Sequence, residues 1–274
     1  METIYLTREN VTSWQKVAKP SVMALGFFDG LHHGHQKVIQ TALQKAKEKN
    51  VHLAVMSFFP HPKTVISNGK KQVCYLMTLS EKEKMLEQLG VDIFYIVRFE
   101  KEFASLSPEE FVAQYLLKLG VVHAVAGFDF SYGSRGLGNL DRLKNDSCGL
   151  IEVTKVEKVE CKGEKISSTC IRERLVNGLV EEIPHFLGRP YEVKANWDGV
   201  SIHLESYHTL PSSGRYMVTL KKGVASFKTE LVVTKESVIQ TCHRLPSYMA
   251  GELSILWHRQ ISTSTISNEM LVTI

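Results

Sequence analysis

The sequence predicts a doubly wound α/β domain built on a parallel sheet, followed by a small all-β, barrel-like domain. Three observations carry this reading. Apolar, strand-length runs alternate with helical periodicity up to about residue 187. Past the LGRPY segment, Leu187–Tyr191, the texture changes to short stretches that alternate polar and apolar residues between Gly, Pro and Ser. A chain of 274 residues is also long enough to bury two cores. The expected domains are residues 1–187 and 188–274.

In the first domain, strands are expected at 21–28, 51–58, 93–99, 121–126 and 150–159, with helices in most of the gaps. Ser80 with Glu83 fits a capping box before Met85 and Leu86, and Ser107, Pro108 and Glu110 fit another with Pro at the first helical position. Gly90 and Gly120 stand where helices should stop. Such βαβ alternation places ligands at the carboxyl ends of the strands. In the second domain, strands are expected at 201–205, 215–220, 225–233, 253–258 and 269–274.

Composition narrows the partners. An apolar content of 43% and a charged content of 23% are ordinary for a globular protein, and a net charge of +4 is too small and dispersed to argue for a DNA surface. It suits small anionic ligands. Five scattered cysteines with no CxxC argue against a disulfide framework, and no apolar run is long enough to span a membrane. A cytoplasmic location is expected.

The most informative stretch is GFFDGLHHGH, Gly26 to His35. An apolar strand runs into a turn at Asp29 and Gly30, and from about His35 the residues Val38, Ile39, Ala42, Leu43 and Ala46 recur with helical spacing. A helix mouth leaves backbone N–H groups unpaired at the positive end of the macrodipole, so an anion meets donors already aimed at it. Gly34 allows close approach to the backbone. Histidines at such a mouth can donate to phosphoryl oxygens and stabilise charge that builds up in a transition state, which points to phosphoryl or nucleotidyl transfer. The ordinary reading of a lone His is a cap or a surface residue, and a zinc site is a third reading of His32, His33 and His35. Against zinc, no Cys stands at ligand spacing and a tight HHGH turn splays the rings.

Three further loops fall at strand ends or helix starts. GFDFSYGSRGLGN, Gly127 to Asn139, is flexible and carries Asp129 and Arg135, which suits it to wrap a polyanion as well as to be a solvated turn. ISSTCIRERL, Ile166 to Leu175, opens a helix with Ser167 or Ser168 as its cap, and its hydroxyls with Arg172 match the needs of an outer phosphate. FFPHP, Phe58 to Pro62, is a rigid bend whose aromatics suit an apolar ring, or a structural turn only.

These runs, GFFDGLHHGHQ, SFFPHP, FASLSPEEF, GFDFSYG and ISSTCIRERL followed by LGRPY, closely resemble the bacterial FAD synthetase family, the bifunctional riboflavin kinase/FMN adenylyltransferases. The resemblance covers roughly residues 1–191 in order. It implies an HxGH nucleotidyltransferase domain that joins FMN and ATP, carried with Mg²⁺, to give FAD and pyrophosphate. His32 and His35 would be the HxGH pair that binds ATP phosphates and stabilises the transition state, with Asp129 positioning substrate. Gly26, Phe27, Asp29, Gly34 and Gly127 would line the nucleotide pocket, Ser167, Ser168 and Arg172 would grip outer phosphates, and Phe58, Pro60 and His61 would face the flavin. No protein-held metal is expected.

The second domain departs from the family. There the segment after LGRPY carries a Gly- and basic-rich turn and a PTAN-type motif, whose Thr and Asn hold Mg²⁺ and phosphates for riboflavin phosphorylation. Here residues 192–213 hold one glycine, Gly199, and no PTAN. The strands look retained without the phosphate apparatus, so riboflavin kinase activity is expected to be absent. The alternatives are a bifunctional enzyme using Glu205, Glu230 or Glu252 as a base, a flavin-binding regulator whose β-domain meets a protein or RNA, and an HxGH transferase with another phosphorylated acceptor.

Overall fold

The computed structural model describes residues 1–204 and 208–261, which divide into two compact units. The first comprises residues 1–73 and 79–166, and the second, among the described residues, 74–78, 167–204 and 208–261. The barrel strands begin at Tyr191, but the unit that contains them also takes in 167–190, so the division falls ahead of the expected residue 187. The expected strand at 269–274, and Glu205 at the end of the one at 201–205, lie outside the described residues.

The first unit is a six-stranded, all-parallel sheet in the order β1–β4–β3–β2–β5–β8. Its strands are β1 (Glu2–Leu6), β2 (Ser21–Leu25), β3 (His52–Phe59), β4 (Ile93–Arg98), β5 (Val121–Gly127) and β8 (Glu152–Val156). Two small hairpins, β6 (Ser131–Tyr132) with β7 (Gly138–Asn139) and β9 (Glu160–Cys161) with β10 (Glu164–Lys165), stand apart from it. The helices of this unit are α1 (Val11–Val17), α2 (His33–Lys49), α3 (Pro62–Ile66), α4 (Leu79–Gln88), α5 (Lys101–Ala104), α6 (Pro108–Phe111) and α7 (Leu140–Asp146).

All five β2 residues are buried, the mark of a central parallel strand covered on both faces. Alternation sorts them. Met23 and Leu25 join Ala54, Met56, Tyr95, Val97, Phe111 and Tyr115 in the main core cluster, while Val22 and Ala24 face the other way. There α2 packs on β2, β3 and β5 and buries Val38, Ile39, Ala42 and Ala46. From β2 the chain moves to β3 and β4 on one side, then returns to β5 on the other. The order therefore reverses between β2 and β5, and their carboxyl ends flank the crevice where doubly wound sheets bind ligands.

The local signals hold with small shifts. Ser107 and Glu110 form the capping box, and Gly120 ends its helix at φ 73°, where an added Cβ would lie 2.7 Å from the Lys19 carbonyl. Helix α4 starts at Leu79, so Ser80 sits inside its first turn and not at the cap. The edge strand β1 is absent from the expected set because its short exposed–buried alternation carries little apolar signal.

In the second unit, α8 (Ser168–Val176) and α9 (Pro184–Leu187) precede a closed barrel in the order β11–β12–β15–β14–β13–β16. Its strands are β11 (Tyr191–Trp197), β12 (Ile202–Leu204), β13 (Gly214–Lys222), β14 (Ala225–Val233), β15 (Ile239–Thr241) and β16 (Gly251–Ile261). Tyr191, Tyr216 and Trp257 are fully buried, and the last two pack edge to face at 5.3 Å. Side chains of this size fill a small barrel, making it a packed core. Ser107→Ala should destabilise the chain by about 1 kcal/mol, read as a lower urea midpoint at unchanged slope.

Candidate active site

The site is built on the turn from β2 to α2. Phe28, Gly30 and Leu31 all take positive φ (54°, 80° and 45°), a conformation that costs two of them steric strain. Burial offsets it: Phe28 and Leu31 are 1% and 0% exposed. Gln36 Nε2 donates to the Leu31 carbonyl at 2.8 Å, and Ser57 Oγ donates to the Phe27 carbonyl at 2.8 Å.

Helix α2 begins at His33, two residues earlier than its apolar periodicity indicates, because His32 is its cap. His32 Nδ1 accepts from the His35 backbone N–H at 3.2 Å. Contrary to the expected splaying, the His32 and His35 rings lie face to face, 3.6 Å between centroids and 17° apart, because the cap brings them onto one side of the helix mouth, and Phe28 meets His35 edge-on at 5.3 Å. Face-to-face rings, one with its Nδ1 engaged as a cap, do not converge on a common metal, and among the described residues no group of three His, Cys, Asp or Glu is arranged to hold one.

Burial holds the His32 imidazole down to a pKa of about 4, helped by His33 and Lys165 and opposed by Asp129. His35 is wholly buried and lies well below the ordinary value, with His32 and Lys82 adding to the effect. Both rings are neutral at pH 7. His35 Nδ1 is buried with no hydrogen-bond partner, a polar atom left for a ligand.

Several expected residues gather around this mouth. Asp29 is 1% exposed inside the turn, and Gly34 packs so closely on His32 that an added Cβ would lie 3.2 Å from the ring. Gly127 ends β5, and Asp129 just beyond it pairs with Lys165 at 2.5 Å. The Phe27 ring meets His61 edge-on at 4.3 Å, and His61 caps α3 by accepting from Lys63 N at 3.1 Å. Pro60 follows a cis peptide bond within the same bend.

Phe58 lies apart. Its neighbour Ser57 faces the Phe27 carbonyl, and strand alternation sends Phe58 to the opposite face, against Phe99 and Phe103 at 6.2 and 5.8 Å. Ser167, Ser168 and Arg172 belong to the second unit. There Ser167 caps α8 by accepting from Cys170 N at 3.2 Å, and Arg172 donates to the Cys74 and Ser168 carbonyls at 3.2 and 3.3 Å.

Two cations that the sequence pattern does not single out stand near the turn. Lys165 lies 4.6 Å over the Phe128 ring, and Lys82 is buried beneath the turn with Nζ 2.8 Å from the Phe27 carbonyl. A signal for Lys82 exists: it precedes the core residue Leu86 by four positions and so shares the buried face of α4.

Comparison with known proteins decides the family. The FAD synthetase family model matches residues 14–170. The chain belongs to that family. A bifunctional riboflavin kinase/FMN adenylyltransferase of Listeria monocytogenes is 39% identical over 94% of this chain and 89% of its own length. One of the same description from Bacillus subtilis is 47% identical over 74% of this chain and 63% of its own. A Listeria FAD synthetase is 34% identical over 73% of this chain and 82% of its own. The crystal structure described as a macrolide-efflux protein of Streptococcus pneumoniae matches with a TM-score of 0.81 at 27% identity, covering 95% of this chain and 100% of that one. As a member of the FAD synthetase family the chain is an enzyme, a nucleotidyltransferase.

The neutral histidines make stability depend on pH with a definite sign. Their folded-state pKa values are depressed, so below pH 6.5 the unfolded chain binds protons that the folded chain does not, and stability present above 6.5 is lost as pH falls towards 4. His32→Asn keeps a capping acceptor and removes the ring. It should flatten this loss by about 2 kcal/mol, measured as urea stability at pH 7 against pH 4.5.

Proposed function

We propose that this chain is an FMN adenylyltransferase that transfers AMP from MgATP to FMN, giving FAD and pyrophosphate, and that it lacks riboflavin kinase activity. The observation that carries the transferase reading is the pair of buried, neutral, stacked histidines at the capped mouth of α2, beside the reversal of strand order.

In this reading a phosphate oxygen of FMN attacks the α-phosphorus of ATP in line. The new P–O bond forms as the bond to pyrophosphate breaks. The nucleophile is already an anion, so no protein base and no covalent intermediate are needed, and the work is positioning and electrostatics. The backbone N–H groups at the α2 mouth and the two imidazoles receive the phosphoryl oxygens where negative charge grows. Magnesium enters as part of the substrate and spreads charge on the leaving pyrophosphate. Gly127 and Asp129 bound the pocket at the end of β5, and Phe27 with Pro60 and His61 supplies a wall for the flavin. Ser167, Ser168 and Arg172 are assigned to the outer phosphates by their match to the family's motif.

Loss of the kinase rests on the barrel's first connection. Between β11 and β12 the chain turns at Asp198–Ser201, and Asp198 Oδ1 accepts from the N–H groups of Val200 and Ser201, both at 2.8 Å. The turn spends its own donors, so a phosphate arriving there meets a carboxylate in place of free amides. Glu230, a possible base, is paired with Arg215 at 2.7 Å. Relatives carry both the synthetase and the bifunctional description, so this chain's own second unit supports the narrower reading.

The test supplies FMN and riboflavin separately, each with MgATP, and resolves the flavins by chromatography. FMN should yield FAD and pyrophosphate in equal amounts; riboflavin should yield no FMN. Riboflavin phosphorylation at a rate near that of FAD synthesis would sink the kinase claim. His35→Ala should lower kcat by about 100-fold or more; retention of wild-type turnover would remove the histidines from the mechanism.

A further inference from the structure

Helix α4 places a lysine where its periodicity calls for an apolar residue. Lys82 is 5% exposed and shares the buried face with Leu86, whereas Lys84 two residues on is exposed. Burying an ammonium group is expensive, and an apolar side chain of similar size would fill the same space at lower cost. The groups around Lys82 Nζ indicate what the charge is for. It donates to the Phe27 carbonyl at 2.8 Å and to Ser57 Oγ at 3.3 Å, and it lies 4.9 Å from the centre of the Phe27 ring. The same carbonyl also accepts from Ser57, so two donors converge on the last peptide before the chain enters its left-handed turn.

We propose that Lys82 is a positioning residue for adenylyl transfer, whose buried ammonium fixes the Phe27 carbonyl and thereby holds the Phe28–Leu31 turn and the His32–His35 pair in the geometry that receives the triphosphate. This rests on the adenylyltransferase reading. Lys82 acts through the turn and touches no reacting atom. A carbonyl fixed from below keeps the following peptides from relaxing out of positive φ, and a fixed positive charge in a site of low dielectric favours the polyanion above it. The titratable groups in its field are Asp29 in the turn and His35 on α2. Burial brings the ammonium down to about 8, against the opposing pull of Asp29, so it is charged at pH 7 and sheds its proton within reach of an assay.

The experiment compares Lys82→Met and Ser57→Ala with the wild type in the full chain. It measures kcat and KM for MgATP and for FMN, the pH profile, and Tm. Loss of a charged hydrogen bond predicts that Lys82→Met lowers kcat/KM for MgATP about 10- to 100-fold, with KM for FMN within twofold and Tm unchanged or raised. The wild-type profile for MgATP should fall as pH rises past about 8, and that limb should vanish in Lys82→Met. Ser57→Ala should lower kcat/KM for MgATP about threefold. The proposal is overturned if Lys82→Met stays within twofold of wild type on MgATP, or if its loss falls equally on FMN and MgATP with the alkaline limb intact. Should Lys82→Met not fold, an unchanged Ser57→Ala together with a wild-type profile flat past pH 8 overturns it. A wild type that makes no FAD defeats the adenylyltransferase reading and this one with it, whereas an active wild type with an indifferent Lys82→Met defeats this one alone.

Discussion

The turn from β2 to α2 is the constraint on which the sheet unit depends. A central strand buried on both faces has to end, reverse its backbone hand through Phe28, Gly30 and Leu31, and deliver a helix whose first amides face outward. Two non-glycine residues at positive φ cost on the order of 1–3 kcal/mol each. That cost is met from two sources: two large side chains of the turn are driven into the core, and the Gln36, Ser57 and Lys82 side chains from outside it satisfy the turn's carbonyls. The strain is thus over-determined by its surroundings. This is what fixes the shape of the α2 mouth.

The same economy explains the histidines. His32 serves as cap with one ring nitrogen and as stacking partner with its face, so it fixes His35 by two contacts at once. Charged imidazoles 3.6 Å apart would repel, and burial already favours the neutral form of both. The pair is therefore neutral at pH 7. A polyanion at the helix mouth reverses that balance, because negative charge beside an imidazole favours its protonated form.

Much of this was legible in the sequence because it rests on short-range physics. The Ser21–Leu25 run is apolar since both of its faces are covered, and the Ser107 capping box is local chemistry. What escaped depends on long-range packing. Lys82 sits in SEKEKM, which reads as a solvated face until Phe27 and Ser57, dozens of residues earlier, are placed against it. Phe58 reads as part of an aromatic wall with Phe59, yet the pleat sends the two to opposite faces. His32 reads as a ligand-facing residue of the turn, and its capping role, which moves the helix start to His33, needs the three-dimensional position of the His35 amide.

The two units solve opposite problems at their first turns. In the sheet unit, β2 ends in a turn whose side chains point into the core and whose backbone continues into a seventeen-residue helix, leaving that helix's leading amides as donors. In the barrel unit, β11 ends in a turn that Asp198 closes upon itself, and the chain re-enters an antiparallel strand, where amides are consumed by the ladder. A strand-to-helix exit creates unsatisfied donors; a strand-to-strand exit with its own carboxylate removes them. The barrel's interior is closed by Tyr191, Tyr216 and Trp257, none of which lies in the Asp198–Ser201 turn. The stability of the second unit is thereby separable from any catalysis at that turn, and a sequence can lose the one while retaining the other.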